Sequence, residues 1–174
     1  GGLHRLLDLL DASPPAQGEC QTLVVCGRNE PLRRRLAARL WRHPVRVYGF
    51  VDNMPELMAA ADVIATKGGS TSVAEALVCG LPVVITSALP WHETGNIGYV
   101  EHDGAGVYAP EAADAVAAIR RLGEDRAARE QMAAQGRALA RPHAAYEIAR
   151  LVAGLALEPP PPPVDVATPG GRSV

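Results

Sequence analysis

The stretch that decides the fold is TKGGSTSVAEALVCGLPVVI, residues 66–85. It leads from an apolar strand-like run, residues 62–66, through two glycines and three hydroxyl residues into a helical pattern. A chain built only for packing needs neither two glycines nor three hydroxyls at such a junction. Glycines ahead of a helix let backbone N–H groups approach an anion, so the stretch predicts an anion-binding turn.

Apolar strand-like runs alternate with helical patterns along most of the chain. Strands are predicted at residues 22–26, 45–50, 62–66, 81–86 and 104–109. Helices are predicted at residues 3–10, 31–42, 54–61, 72–79, 94–102, 111–122, 125–139 and 143–156. This alternation indicates an α/β fold, a parallel sheet covered by helices on both faces. Because ligands of such sheets bind beyond the carboxyl ends of the strands, the informative loops begin at Gly27, Phe50, Lys67 and Ser87.

Length and composition limit the classes of protein that fit. The 174 residues suffice for one domain, predicted at residues 1–157, while the Pro- and Gly-rich residues 158–174 predict a disordered or polyproline tail. The net charge of −2 argues against nucleic acid as a partner. No apolar run approaches the roughly 18 residues of a membrane span, and no signal sequence is recognised. Three scattered cysteines indicate neither a zinc site nor disulfides, and suit a reducing cytosol.

Glu75 has a structural explanation as well as a functional one. Ser72 and Glu75 fit a capping box, with Ser72 as the N-cap and Glu75 bonding back to its N–H, and Gly80 would close the helix. That role leaves the residues just before it unexplained. An anionic ligand at the helix N-terminus would explain them all: Gly68, Gly69, Ser70 and Thr71.

Two other loops carry candidate binding residues. His92, Glu93 and Asn96 lie within five positions of one loop, and one His with one carboxylate is too few ligands for zinc. Contacts to a hydroxyl-rich ligand are therefore predicted there. The loop at Phe50 and Val51 would take a planar ring, the alternative being a plain strand-to-helix turn with an Asn N-cap at position 53.

Arginines cluster between residues 28 and 46. Leu32, Leu36 and Leu40 recur at helical spacing, which predicts that they dock the helix on the sheet and leave the arginines on its outer face. Such a face is usually only solvated. The alternative is an approach to anionic lipid.

Taken together, three stretches resemble the C-terminal domain of GT-B glycosyltransferases. They are VVCGRNEPLRRRL, VYGFVDNMPELMAAADVIATKGGSTSVAEALVCGLPVVI and LPWHETGNIGYVEHDGAGV. The likeness is nearest to monogalactosyldiacylglycerol synthases and processive diacylglycerol glucosyltransferases, and more distant to the peptidoglycan transferase MurG. It covers about residues 20–110 continuously. It implies a Rossmann-like domain, the C-terminal half of a GT-B fold, that binds a nucleotide-sugar donor.

The resemblance also implies roles for individual residues. The turn from Gly68 to Ser72 would hold the diphosphate of a UDP-sugar, Glu75 the ribose hydroxyls, and the backbone near Phe50 and Val51 the uracil. The remaining residues of the implied binding set are Gly27, Arg28, His92, Glu93 and Asn96, the last three of which would face the transferred sugar. Such enzymes commonly need no metal or other cofactor, since the helix dipole and hydrogen-bond donors stabilise the leaving diphosphate.

Three departures from the family pattern stand out. The family commonly has Gln where this chain has His92, and lipid galactosyltransferases often have a Gly-Pro-Gly pattern where residues 68–72 read GGSTS. The opening GG resembles the remnant of a glycine-rich loop. The N-terminal acceptor domain, expected to carry the general base, is missing, so no catalytic residue is predicted in this chain and the isolated chain is expected to be inactive.

Three functions fit these features. The first is the donor-binding half of an inverting glycosyltransferase that moves a hexose from a UDP-sugar to a diacylglycerol-type lipid. The second is a one-domain donor-binding subunit of a two-chain N-acetylglucosaminyl transferase, with a membrane-bound partner chain. The third is a non-catalytic nucleotide-sugar-binding module. For the first, the expected location is cytoplasmic, with peripheral contact at the inner face of the membrane as the alternative.

Overall fold

The computed structural model describes residues 2–12 and 20–157. The chain divides into two units, Gly1–Arg141 and Pro142–Val174. The helices of the first unit are α1 (Gly2–Ala12), α2 (Glu30–Ala37), α3 (Met54–Ala59), α4 (Ser70–Val78), α5 (Thr94–His102), α6 (Ala112–Glu124) and α7 (Arg126–Leu139). Its strands are β1 (Thr22–Val25), β2 (Val45–Tyr48), β3 (Ile64–Lys67), β4 (Val83–Ser87) and β5 (Gly106–Tyr108). Every predicted strand and helix is present, with ends shifted by a few residues.

The second unit contributes one described helix, α8 (Ala144–Leu157). Exposed apolar side chains line this helix: Tyr146, Ile148, Leu151, Val152 and Leu155. The predicted tail, residues 158–174, lies outside the described residues. Of the helices in the described part of the chain, none combines the length and the apolar character needed to cross a bilayer.

The strands pair in parallel, but as two sheets. β1 pairs with β2, starting with Thr22 opposite Val45, while β3, β4 and β5 form a second sheet in that order. Within the described residues, β1 and β3 share no ladder. The predicted α/β class with parallel strands is thus confirmed, while the single expected sheet is replaced by two.

Helices cover both faces of the second sheet, as predicted. On one face, α3, α4 and α5 pack against Val83 and Ile85 of β4. On the other face, α1 and α6 pack against Val84. All three β4 side chains are fully buried, which explains why this strand reads as a continuous apolar run in the sequence.

The predicted end of the second helix is wrong. Helix α2 ends at Ala37, and Leu40 is 95% exposed instead of docking on the sheet. Leu36 does pack, together with Val24 of β1, and Trp41 takes the place expected for Leu40. The indole Nε1 of Trp41 donates to the Leu36 carbonyl oxygen at 3.1 Å, so the chain turns over the helix end instead of extending it.

The arginines near α2 form ion pairs within the chain. Arg33 and Arg34 both bond to Glu30, and these bonds lower the pKa of Glu30 to about 2. Arg39 reaches back to α1, where it bonds to Asp8 and to Asp11. Part of the cluster therefore joins α1 to the segment that follows α2, in addition to the solvated face that the sequence predicted.

Candidate functional site

The first group of candidate residues follows β1 and β2. Gly27 adopts a left-handed backbone with φ 57°, which suits a residue without a β-carbon. The guanidinium carbon of Arg28 lies 5.3 Å from the centroid of the Phe50 ring, and that ring is 68% exposed. Val51 is half-buried beside it. Arg28 and Phe50 thus form a flat, open surface, which we call the Phe50 shelf, and a planar ring could stack on it.

The alternative prediction for this loop, an Asn53 N-cap, is confirmed for the position of the residue but not for its side-chain bond. Asn53 does stand at the N-cap of α3, but its side chain makes no capping bond to the helix backbone. Its amide nitrogen donates instead to the Glu56 carboxylate at 2.8 Å. The Asn side chain therefore explains where the helix starts less well than the sequence suggested.

The capping box predicted for α4 is wrong. The helix begins at Ser70, with Gly69 as the N-cap in an extended conformation, so Ser72 is already the third helical residue. The Val73 N–H donates to the Gly69 carbonyl at 3.0 Å, which closes the first turn three residues earlier than a Ser72 cap would. Glu75 therefore lies too far along the helix to reach the cap, and it is exposed.

The start of α4 consequently has N–H donors that no described residue pairs. The first three N–H groups of a helix have no partner within it, and here they belong to Ser70, Thr71 and Ser72. No described side chain caps this end. Ser70 and Thr71 are exposed residues at the positive end of the helix dipole.

The glycine turn ahead of α4 is held from the first turn of α5. The Asn96 amide nitrogen donates to the Gly68 carbonyl at 2.6 Å. Gly68 is buried, and a β-carbon there would touch Ala88 and Ile85 at 3.4 Å. The turn is therefore fixed by packing and by a hydrogen bond before any ligand arrives.

Glu93 is a buried carboxylate in the loop between β4 and α5. Its side chain makes two polar contacts, while the residue is only 8% exposed. One oxygen accepts a hydrogen bond from the Leu89 N–H at 2.7 Å, and the other lies 3.6 Å from the Lys67 ammonium. These contacts give Glu93 a role in shaping the loop. Its predicted contact with a sugar stays a prediction.

Sequence reasoning missed two residues at this edge. Lys67, the last residue of β3, is 62% exposed and stands beside Glu93 and the glycine turn, where it adds a positive charge. Its place directly before two glycines was an available signal. Trp91 is exposed and has a left-handed backbone, φ 70°, which is rare for a bulky residue, and no sequence pattern announces it.

The structure places the predicted residues in two groups. Gly27, Arg28, Phe50 and Val51 lie after β1 and β2, while the glycine turn, the start of α4, Glu93 and Asn96 lie after β3 and β4. His92 is exposed in the loop before α5. Within residues 2–12 and 20–157, no three His, Cys, Asp or Glu side chains gather as a metal site would need.

Comparison with known protein families shows to which family the chain belongs. The family model described as "Glycosyl transferases group 1" matches residues 1–139. The chain belongs to this glycosyltransferase family. The match spans both groups of candidate residues, and the resemblance inferred from the sequence is confirmed.

Curated relatives and solved structures agree with this assignment. A probable monogalactosyldiacylglycerol synthase 3 of Oryza sativa subsp. japonica is 37% identical over 139 residues, which are 79% of this chain and 27% of the relative. Monogalactosyldiacylglycerol synthase 3 of Arabidopsis thaliana is 47% identical over 88 residues, which are 51% of this chain and 19% of the relative. Acinetobacter baumannii MurG superposes with a TM-score of 0.65 at 20% identity, covering 84% of this chain and 46% of that one.

The chain thus spans about a quarter of the length of the first curated relative. The similarity to MurG, at low identity, shows a shared fold. That fold is the one the sequence predicted, a domain of the kind found in GT-B glycosyltransferases.

Proposed function

We propose that this chain is the donor-binding part of an inverting glycosyltransferase that moves a hexose from a UDP-sugar to a diacylglycerol-type lipid. Family membership supports sugar transfer, and the names of two relatives, both monogalactosyldiacylglycerol synthases, support a lipid acceptor. Both names also place those relatives in the chloroplast. Cytoplasmic location and peripheral membrane contact stay predictions for this chain.

The observation that carries the proposal is the uncapped start of α4. Gly69 provides the N-cap without a side chain, and the N–H groups of residues 70–72 point away from the helix. Lys67 adds a positive charge on the strand side of the turn. A diphosphate would satisfy those donors and meet both the helix dipole and the ammonium group. We infer that this is the diphosphate site and that it needs no metal ion.

The rest of the donor would extend on either side of the diphosphate. Uracil would stack on the Phe50 shelf, beside the backbone of Val51, and its ribose would bond to the exposed Glu75 carboxylate. The sugar would lie toward His92, in the loop before α5, and Asn96, in the first turn of that helix. Ring stacking and charge-assisted hydrogen bonds would hold the donor in one orientation.

The chemistry follows from this arrangement. An acceptor hydroxyl forms a bond to the anomeric carbon of the sugar while the bond from that carbon to the diphosphate oxygen breaks, so that configuration inverts. The donors at the start of α4 stabilise the negative charge that develops on the departing UDP. The acceptor proton passes to a general base that we place outside this chain, in an acceptor-binding domain or a partner chain, so residues 1–174 alone would bind donor without transferring sugar.

Calorimetry tests the donor site directly. UDP should bind residues 1–174 equally well with and without EDTA, and glycosylation of diacylglycerol should be undetectable. Loss of binding on chelation would contradict the metal-free site. Sugar transfer by the chain alone would contradict the placement of the base.

The Glu75→Gln variant tests the ribose contact. Because Glu75 is exposed and outside any capping box, the change should leave the melting temperature nearly unaltered. Losing charge-assisted bonds should cost about 1–3 kcal/mol of binding, a roughly 5- to 150-fold rise in the Kd for UDP. Glu124→Gln, which alters an exposed carboxylate at the end of α6, is the matched control and should bind UDP like the parent. Equal affinity of the Glu75 variant and the parent would remove Glu75 from the site.

A further inference from the structure

The turn between β4 and α5 is closed from both directions by one residue, Glu93. Its N–H donates to the Leu89 carbonyl oxygen at 3.0 Å, and its carboxylate accepts from the Leu89 N–H at 2.7 Å. The Glu93 carbonyl oxygen accepts from the Asn96 N–H at 3.0 Å, which ties the turn to α5. Residues 90–92 are therefore held in a short loop between two residues that bond to each other.

The turn carries apolar side chains that are left in solvent. Trp91 is 95% exposed, Leu89 is 53% exposed, and Pro90 between them is exposed as well. We call residues 89–91 the apolar tip. Single exposed apolar residues are common on protein surfaces, but Trp is highly buried on average. Three consecutive exposed apolar residues that include a nearly fully exposed indole therefore point to a surface with a partner.

The backbone of Trp91 is a second unusual feature of this turn. Its φ of 70° lies in the left-handed region, which bulky residues rarely occupy. Glycine adopts this conformation without a steric penalty, so folding alone would favour Gly at this position. Strained residues of this kind cluster at active sites and at sites that hold a ligand. The indole is therefore the part of the turn that folding does not explain.

The turn that bears the apolar tip lies beside the proposed diphosphate site. The same Glu93 oxygen lies 3.6 Å from the Lys67 ammonium and 3.6 Å from the place that a β-carbon on Gly69 would take. Glu93 thus contacts the glycine turn on one side and closes the turn of the apolar tip on the other. A molecule at the start of α4 and a surface in contact with the tip would be neighbours.

The chemistry of the partner follows from the acceptor, and this step rests on the proposed function. A diacylglycerol keeps its acyl chains in the bilayer, and its hydroxyl is carried on the glycerol unit directly above them. The donor site must therefore come to the membrane surface, and a protein surface beside that site meets the interface between headgroups and acyl chains. Trp is enriched at this interface because its ring is apolar while its N–H can still bond to water or headgroups. Residues 89–91 carry no charge that would oppose entry.

We propose that the apolar tip inserts into the interface of a lipid bilayer and so brings the donor site to its lipid acceptor. Leu89 and Trp91 enter the interface, while the exposed His92 and Lys67 stay among the headgroups. Because Glu93 fixes the turn before it meets the membrane, insertion loses little conformational entropy. The contact also explains why a strained, exposed Trp occupies a position that suits Gly.

Tryptophan fluorescence with lipid vesicles tests the insertion. The chain has two tryptophans, Trp41 and Trp91, so the difference between the parent and Trp91→Gly isolates the emission of Trp91. Residues 1–174 are titrated with uncharged vesicles of phosphatidylcholine and diacylglycerol. The Trp91 emission should shift to the blue, and brominated acyl chains should quench it.

Sedimentation with the same vesicles measures how strongly each variant binds. Trp91→Gly, which suits the left-handed backbone, should bind about tenfold more weakly than the parent, because no indole leaves water. Leu89→Ser, which keeps Trp91 as the reporter, should weaken binding and reduce the blue shift. Tyr146→Ala removes an exposed ring from α8, is the matched control, and should bind like the parent.

Three results would overturn the proposal: an unshifted Trp91 emission, equal vesicle binding by the parent and Trp91→Gly, or a response that requires anionic phosphatidylglycerol. The last would assign the contact to the arginines near α2, because the apolar tip has no charge. Calorimetry with UDP on the same samples separates this proposal from the proposed function. UDP binding without insertion would refute only the membrane contact, and insertion without UDP binding would refute only the donor site.

Discussion

Replacing Glu93 tests whether a buried carboxylate shapes the loop that bears the candidate site. Glu93→Ala removes the buried carboxylate that accepts the part-buried hydrogen bond from the Leu89 N–H. A hydrogen bond to a charged group contributes about 1.5–3 kcal/mol. The Lys67 ion pair adds little, at most about 1 kcal/mol, because the ammonium is 62% exposed and lies 3.6 Å away. We therefore expect Glu93→Ala to lower the free energy of unfolding by about 2–3 kcal/mol.

Glu93→Gln separates the hydrogen bond from the charge. The Gln amide oxygen can still accept from Leu89, so only the ion pair and the charge assistance are lost, at a cost of about 1 kcal/mol. For a chain of this size each kcal/mol shifts the melting temperature by about 2–4 °C. The melting temperature should thus fall by roughly 4–12 °C for the Ala variant and by no more than about 4 °C for the Gln variant.

Two controls complete this experiment. Lys67→Met removes the ion pair alone and should cost less than about 1 kcal/mol. Glu124→Ala removes an exposed carboxylate of α6 and should stay within about 0.5 kcal/mol of the parent. An Ala variant at position 93 as stable as the parent, or a Gln variant as damaged as the Ala variant, would refute the structural role of this carboxylate.

Two further substitutions test the core and the contact between α1 and α2. Gly106→Ala should lower the free energy of unfolding by about 1–3 kcal/mol or more, because its β-carbon would lie 2.4 Å from the Val83 carbonyl oxygen. Gly98→Ala, whose β-carbon would meet nothing within 4 Å, should be neutral or stabilising. Urea unfolding measures both variants. Asp11→Asn should cost about 1–3 kcal/mol at pH 7. Burial raises the pKa of Asp11, but its hydrogen bonds, first the one from the Arg42 N–H, outweigh burial and hold the pKa below the ordinary 3.8. The stability that Asp11 contributes is therefore present above pH 3.8 and should be lost as the pH falls below that value. Acid unfolding of the parent and the Asn variant would show this loss. Equal losses of stability for Gly98→Ala and Gly106→Ala would contradict the explanation from close packing. A stability difference between the parent and Asp11→Asn that stays the same at low pH would contradict the role given to the Asp11 carboxylate.

The strands could be predicted from the sequence because burial on two faces leaves a continuous apolar run. Residues 83–85 illustrate this, since all three side chains are buried between helix layers. How the strands pair could not be predicted in the same way. An alternation of strands and helices is compatible with many lateral orders, so no local pattern indicates that β1 and β3 share no ladder within the described residues.

Helix ends were predicted less well where tertiary contacts compete with local signals. Ser72 and Glu75 have capping-box spacing, yet the extended backbone of Gly69 starts α4 two residues earlier. At the end of α2, spacing alone favoured Leu40 as a core residue. The bond from the Arg42 N–H to the buried Asp11 carboxylate, at 2.7 Å, instead draws this segment toward α1. A partner 31 positions away in the sequence leaves no trace in helical periodicity.

The structure also distinguishes among the three residues predicted to face a sugar. Both Glu93 oxygens are engaged within the protein, one with the Leu89 N–H and one near the Lys67 ammonium, and the side chain is buried. Asn96 uses an amide hydrogen on Gly68, which leaves its carbonyl oxygen able to accept from a hydroxyl. His92 is exposed in the same loop. His92 and Asn96 therefore keep polar groups available for a transferred sugar, whereas the Glu93 carboxylate is engaged with the loop and with the lysine beside the glycine turn, and its sugar contact stays a prediction.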